Sequence, residues 1–148
     1  MASTLKINTL TGVTTAGSIA VTGEGNSTTT NLQQGLAKAW SDYNAQADGT
    51  GNMTTADSFN ISGLTDNGTG DYTHAYTNAM ASANHVWTGC VQYETGAVGA
   101  VLWLSPKSGS ASNRGASSVR VASVYDSDGS VTYYDYAQQQ FVINGDLA

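Results

Sequence analysis

The stretch SFNISGLTDNGTGDYTHAYT, residues 58–77, decides how this chain is read. Phe59, Ile61 and, past Gly63, Leu64 alternate with Ser58, Asn60 and Ser62, while Tyr72, His74 and Tyr76 alternate with Thr73, Ala75 and Thr77. A period of two sends successive side chains to opposite faces, as in a half-buried strand. Between the two runs, Asp66-Asn67-Gly68-Thr69-Gly70-Asp71 supplies glycines for positive φ. The segment therefore predicts two antiparallel strands joined by a reversal.

The same alternation recurs around residues 85–94, 98–105, 117–125, 130–136 and 138–144. Residues 57–148 thus hold about seven strands, a number and spacing that suit an antiparallel β-sandwich. Asp126-Ser127-Asp128-Gly129 stands between two of the runs and has the chemistry of a tight hairpin. Its alternating carboxylates match only the opening of a calcium loop, and no glutamate stands at the twelfth position.

Upstream the pattern changes. Residues 44–56 are a polar linker rich in Gly, Asn and Thr. Before it, Leu32, Leu36, Ala39 and Tyr43 recur at helical spacing behind the N-cap candidates Thr28 to Asn31. This predicts a short helix over 31–43, with Trp40 at the edge of its apolar seam. Gly35 costs such a helix about 1 kcal/mol relative to alanine, and a dozen residues are marginal alone in water, so packing must hold it. Either the helix lies on its own domain, or copies of it form a parallel bundle on a symmetry axis.

Residues 1–30 carry only scattered apolar positions, Leu5, Ile7, Leu10, Val13, Ile19 and Val21, among Thr, Ser, Asn and Lys. Such a segment lacks the bulky partners that close a core. Its missing cover comes from the rest of the chain or from neighbouring subunits.

Composition agrees with a β-rich protein. At 148 residues the chain suits one domain, long enough to bury roughly 68–70% of its extended surface. Charged residues make up 11%, far below the roughly 25% of an average domain. The net charge of −6 sets eleven acids against five scattered cations, Lys6, Lys38, Lys107, Arg114 and Arg120. Without a basic patch, nucleic acid is not an expected partner. No apolar run approaches the roughly 20 residues of a membrane span, and no export signal is evident. Cys90 is the single cysteine and lies in an apolar run, where a buried thiol is expected. The N-x-S/T triplets at Asn26, Asn52, Asn60 and Asn67 are read as unmodified in a chain this rich in Ser and Thr.

The residues match a known pattern. An S-T-L-K-[VI]-[DN]-T-[IL]-x-G element falls at Ser3 to Gly12, A-[KR]-A-W at Ala37 to Trp40, and D-S-[FL]-N-[VI]-S-[SG]-[LI]-T-D-N-G-x-G-D-Y-T at Asp57 to Thr73. A-M-x-x-A-N follows at Ala79 to Asn84, and G-D-L-A at Gly145 to Ala148. In this order the set resembles a family of short bacteriophage tail-fibre and virion appendage proteins, of the type common in marine phages. The resemblance implies a homotrimer whose intertwined β-rich N-terminal arm, residues 1–30, engages other virion proteins and whose C-terminal sandwiches face outward. It also implies a virion component made in the bacterial host cytoplasm, mounted on the tail or as a decoration fibre on the head. The trimer-interface candidates are then Leu32, Leu36, Ala39, Trp40 and Tyr43.

Catalysis finds little footing. His74 and His85 are the only imidazoles, each placed as a hydrogen-bonded wall residue, and no G-x-S-x-G elbow appears. Two histidines and one distant cysteine lack zinc-ligand spacing. Asp66, Asp71, Asp126, Asp128 and Asp135 are better explained as turn and surface residues than as a glycosidase pair. No enzyme, cofactor or metal is expected. Tyrosines offer a more useful surface, because a ring face stacks on a sugar and the hydroxyl bonds to it. Tyr133, Tyr134 and Tyr136, with Arg114 in the polar loop 105–118, are the candidates for contact with a host-surface glycan. A freestanding carbohydrate-binding β-sandwich module is the alternative reading.

Overall fold

A computed structural model describes residues 4–12, 19–23, 28–46, 53–92, 100–101, 114–127 and 129–148. The chain is mainly β, with several antiparallel sheets and almost no helix. It divides into two units, Met1–Leu36 and Ala37–Ala148.

In the first unit, β1 (Ala20–Thr22) pairs antiparallel with β2 (Thr29–Asn31), placing Val21 opposite Thr30. A single helical turn, α1 (Leu32–Gly35), follows. Leu32 N closes the hairpin onto Ile19 O at 2.9 Å.

The helix expected over 31–43 is therefore corrected: it stops at Gly35, and residues Ala39–Asn44 form strand β3. The apolar positions that mimic a helical seam also satisfy a period of two, and burial follows that shorter period. Ala39, Ser41 and Tyr43 are buried while Trp40, Asp42 and Asn44 are only half-buried. Pairing on both edges satisfies the backbone of β3 far more completely than an uncapped helix interrupted by glycine.

The second unit continues with β4 (Thr54–Phe59), β5 (Ile61–Asp66), β6 (Asp71–Tyr76), β7 (Val86–Val91), β8 (Ala100–Val101), β9 (Ser118–Ala122), β10 (Val124–Ser127), β11 (Ser130–Tyr133) and β12 (Gln139–Asn144). One sheet has the order β4-β3-β12-β7, a second β5-β6-β9 and a third β11-β10-β8. All pairings are antiparallel. The β unit thus begins at Ala37, not at residue 57. Of the expected linker, Asn44 ends β3, Thr54 to Ala56 belong to β4, and residues 47–52 lie outside the described residues.

The first two sheets share one core in a sandwich-like arrangement. Ala39, Tyr43, Phe141 and Ile143 from one meet Tyr72, Tyr76, Val119 and Val121 from the other, and Met80 joins them. Both anticipated hairpins form. Asp66 faces Tyr72 across a turn containing Gly68 and Gly70, both with positive φ. Ser127 faces Ser130, with Gly129 at φ 81° and its N–H bonded to Asp126 Oδ1 at 3.0 Å; Asp128 lies outside the described residues.

Two residues turn the chain from sheet to sheet. Asn60, at φ 58°, separates β4 from β5. Ser123 breaks the expected strand 117–125 into β9 and β10, because its N–H is bonded to Gly70 O and its C=O accepts from Tyr134 N. Of the expected strand 98–105, β8 covers residues 100–101 and the remainder lies outside the described residues.

Candidate functional site

The register of the four-stranded sheet fixes what its outer side presents. Because Trp40 pairs with Val142 and Asp42 with Gln140, these four side chains share the face opposite the buried Ala39, Ser41 and Tyr43. β12 pairs in turn with β7, adding Thr88 beside Val142 and Cys90 beside Gln140. The resulting groove holds about 510 Å³ and is floored by the strand backbones at Ser41, Gly89 and Phe141. That volume lies within the range of small-ligand sites. On the other flank, β4 places Phe59, half exposed, beside Trp40 and Asp57 beside Asp42.

The groove divides into an apolar row and a polar row. Trp40 and Val142 form the first with Phe59 alongside. In the second, Gln140 Nε2 donates to Asp42 Oδ2 at 3.1 Å, and Cys90 Sγ lies 3.6 Å from Gln140 Oε1. Cys90 is thus exposed, correcting the expected buried thiol: it sits on the outward parity of the edge strand β7.

The tyrosine candidates separate. Tyr134 is exposed and Tyr133 half-buried, but Tyr136 is fully buried and stacks edge-on against Tyr134 with centroids 4.9 Å apart. Tyr136 is therefore removed from the contact surface, because the chain leaves the strand after Tyr133 and turns the ring inward. Arg114 is exposed, with Nη1 donating to His85 O at 3.1 Å; residues 105–113 of its loop lie outside the described residues.

The trimer-interface candidates divide likewise. Ala39 and Tyr43 are in the core of their own unit, so they cannot form an axial seam. Trp40 lines the groove, Leu32 is half-buried in α1, and Leu36 is 54% exposed.

Most of the remaining polar chemistry is structural. Arg120 Nε and Nη2 clamp the fully buried carboxylate of Asp71 at 2.7 and 2.6 Å, and this pairing raises the guanidinium pKa. Tyr72 OH donates to Asp135 Oδ1, which also accepts from Gly70 N at 2.6 Å. Burial, then the bond to Asp135, raises the Tyr72 pKa above its ordinary value. Gln139 bridges Tyr43 OH (2.9 Å) and Ser123 Oγ (3.3 Å).

His85 approaches Tyr76 OH at 3.2 Å and Ser82 O at 3.4 Å. His74, expected to be hydrogen-bonded, is not: neither ring nitrogen has a partner among the described residues. It lies between Tyr43 and Phe141, with centroids 4.8 and 4.3 Å away. Burial pushes its pKa down to about 3, so the ring is neutral at pH 7.

Among the described residues no cluster of three or more His, Cys, Asp or Glu could hold a metal ion, and no helix is long and apolar enough to cross a membrane. Comparison with protein families, curated proteins and solved structures finds no match to this chain.

Proposed function

We propose that this chain is a bacteriophage virion structural protein, a homotrimeric tail-fibre or spike-like appendage, or a fibre decorating the head. In this reading the first unit seats the protein among its own copies and other virion proteins, and the β unit is displayed toward a host-surface glycan. One observation carries the assembly half. Leu5, Ile7, Leu10 and Val21 are 78%, 50%, 53% and 52% exposed, and they lie in a segment with too few large apolar side chains to cover them. Exposed apolar side chains that their own segment cannot cover support burial against another chain. The ordered motif set from Ser3 to Ala148 supports the virion assignment by resemblance.

Immunogold microscopy on lysates of producing cells, with antibodies raised against the whole chain, tests the proposal. Label on particle tails or heads supports it and identifies the mounting point. Label on cell surfaces alone, with bare particles, overturns it.

The groove of Trp40, Asp42 and Gln140 favours a second reading, a carbohydrate-binding module without a virion, since a sheet face of this kind needs no assembly to work.

A further inference from the structure

We infer that the outer face of the β4-β3-β12-β7 sheet is a saccharide site selective for neutral pyranose units, with Trp40 as its stacking platform and the Asp42–Gln140 pair as its hydroxyl-binding edge. This deepens the glycan-facing half of the function proposed above and rests on it for its biological setting, but its chemistry stands on the groove alone.

A pyranose ring presents an apolar face of C–H groups and a rim of hydroxyls, so it needs a flat apolar wall beside fixed polar atoms. The groove has both, one register step apart. Trp40 and its cross-strand neighbour Val142 form the wall, and two residues along each strand stand Asp42 and Gln140. An indole ring supplies a large rigid contact area with few torsions to freeze.

The polar edge is ordered before any ligand arrives. Gln140 is held through Nε2 to Asp42 Oδ2 at 3.1 Å, and its Oε1 faces Cys90 Sγ at 3.6 Å. Asp42 Oδ1 accepts no hydrogen bond among the described residues, which leaves a charged acceptor for a sugar hydroxyl. Fixing these side chains in advance reduces the ordering that binding would otherwise require.

Charge selects the class of sugar. Asp42 lies directly opposite Asp57 on the neighbouring strand, and among the described residues no Lys or Arg lines the groove. Two carboxylates facing one another across strands already repel. A uronic or sialic acid would add a third negative charge, whereas hydroxyl donors relieve the pair. The groove therefore takes neutral sugars and rejects acidic ones.

Affinity gel electrophoresis of the full chain tests this with dextran, yeast mannan and galactomannan as neutral probes, and polygalacturonate and polysialic acid as acidic ones. At least one neutral polymer should retard the protein, and neither acidic polymer should. Trp40→Ala should weaken the retardation about tenfold, and Trp40→Phe should restore most of it. Gln140→Ala, at an exposed position that the fold tolerates, should weaken it several-fold. The inference is overturned if no neutral polymer retards the protein, if an acidic polymer does so more strongly, or if the alanine variants bind as the parent does. It is equally overturned if Trp40→Ala lowers the oligomer mass, because the face would then be a subunit contact. A monomeric chain that still binds neutral polymer refutes the assembly proposal alone, and a trimer that binds none refutes the groove alone.

Discussion

The side chain of Asn60 grips the backbone of Asn78 with both of its polar atoms: Oδ1 accepts from Asn78 N at 2.7 Å, and Nδ2 donates to Asn78 O at 3.0 Å. The same Nδ2 also donates to Lys38 O at 2.9 Å. One asparagine thus ties together the approach to β3, the β4–β5 corner and the segment leaving β6. Its φ of 58° lies in the left-handed region, which Asn tolerates better than other residues with a Cβ. An amide engaged in this way is not free to carry a sugar, in keeping with the reading of the Asn60-Ile61-Ser62 triplet as unmodified.

Asn60→Ala should destabilise the protein by about 2 kcal/mol, from lost hydrogen bonds and from a Cβ left in an unfavourable backbone region. Asn60→Gly keeps the backbone freedom and loses only the bonds, so it should lie between parent and alanine in urea denaturation. An alanine variant as stable as the parent would show that the corner is held by other contacts.

Gly70 and Gly129 both have positive φ, but their surroundings differ. A Cβ on Gly70 would stand 2.8 Å from Tyr134 N and closer still to Ser123 O, whereas one on Gly129 would meet nothing within 4 Å. Gly129→Ala should therefore cost about 1 kcal/mol of backbone strain, and Gly70→Ala about 3 kcal/mol or the fold itself. Equal shifts in thermal unfolding would mean that the junction of Gly70, Ser123 and Tyr134 opens without penalty.

His74 links stability to pH. Its pKa falls from 6.5 to about 3 on burial, so the folded state takes up its proton far less readily than the unfolded chain. Stability from this group is complete above pH 6.5. It declines by about 1.4 kcal/mol per pH unit as the pH falls toward 3. His74→Leu removes two unpartnered ring nitrogens from the core and should flatten that acid limb, without loss at pH 7. Chemical denaturation across pH 3.5–7.5 measures it; an acid limb as steep in the variant as in the parent would assign the dependence to other groups.

How far the sequence foretold this fold depends on how local each signal was. The hairpins at Asp66–Asp71 and Asp126–Gly129 were legible because turn chemistry is written in adjacent residues. Strand β3 was not. Leu32, Leu36, Ala39 and Tyr43 fit a helix, and the strand period is imposed by pairing with β4 on one edge and with β12, about a hundred positions away, on the other. The groove was illegible for the same reason, since Trp40, Cys90 and Gln140 meet through register alone. Tyr136 misled because its alternation with Tyr134 assumed a strand that ends at Tyr133. The residues of the D-N-G-x-G-D-Y-T motif carry packing roles: Gly70 for close approach, Asp71 for Arg120 and Tyr72 for Asp135.

The exposed apolar residues of the first unit give an assembly prediction of their own. Replacing Leu5, Ile7 and Leu10 together by serine should dissociate the proposed trimer in sedimentation velocity. The melting transition of the β unit should hold to within a few degrees, because none of the three belongs to its core. An oligomer that survives the triple change would place the subunit contacts elsewhere.

The most direct test of the central claim is the mass of the purified full chain by multi-angle light scattering at near-physiological salt. A homotrimer gives three times 15.3 kDa. A mass of 15.3 kDa at all working concentrations would contradict it, and would leave the sheet-face groove as the property of a freestanding binding module.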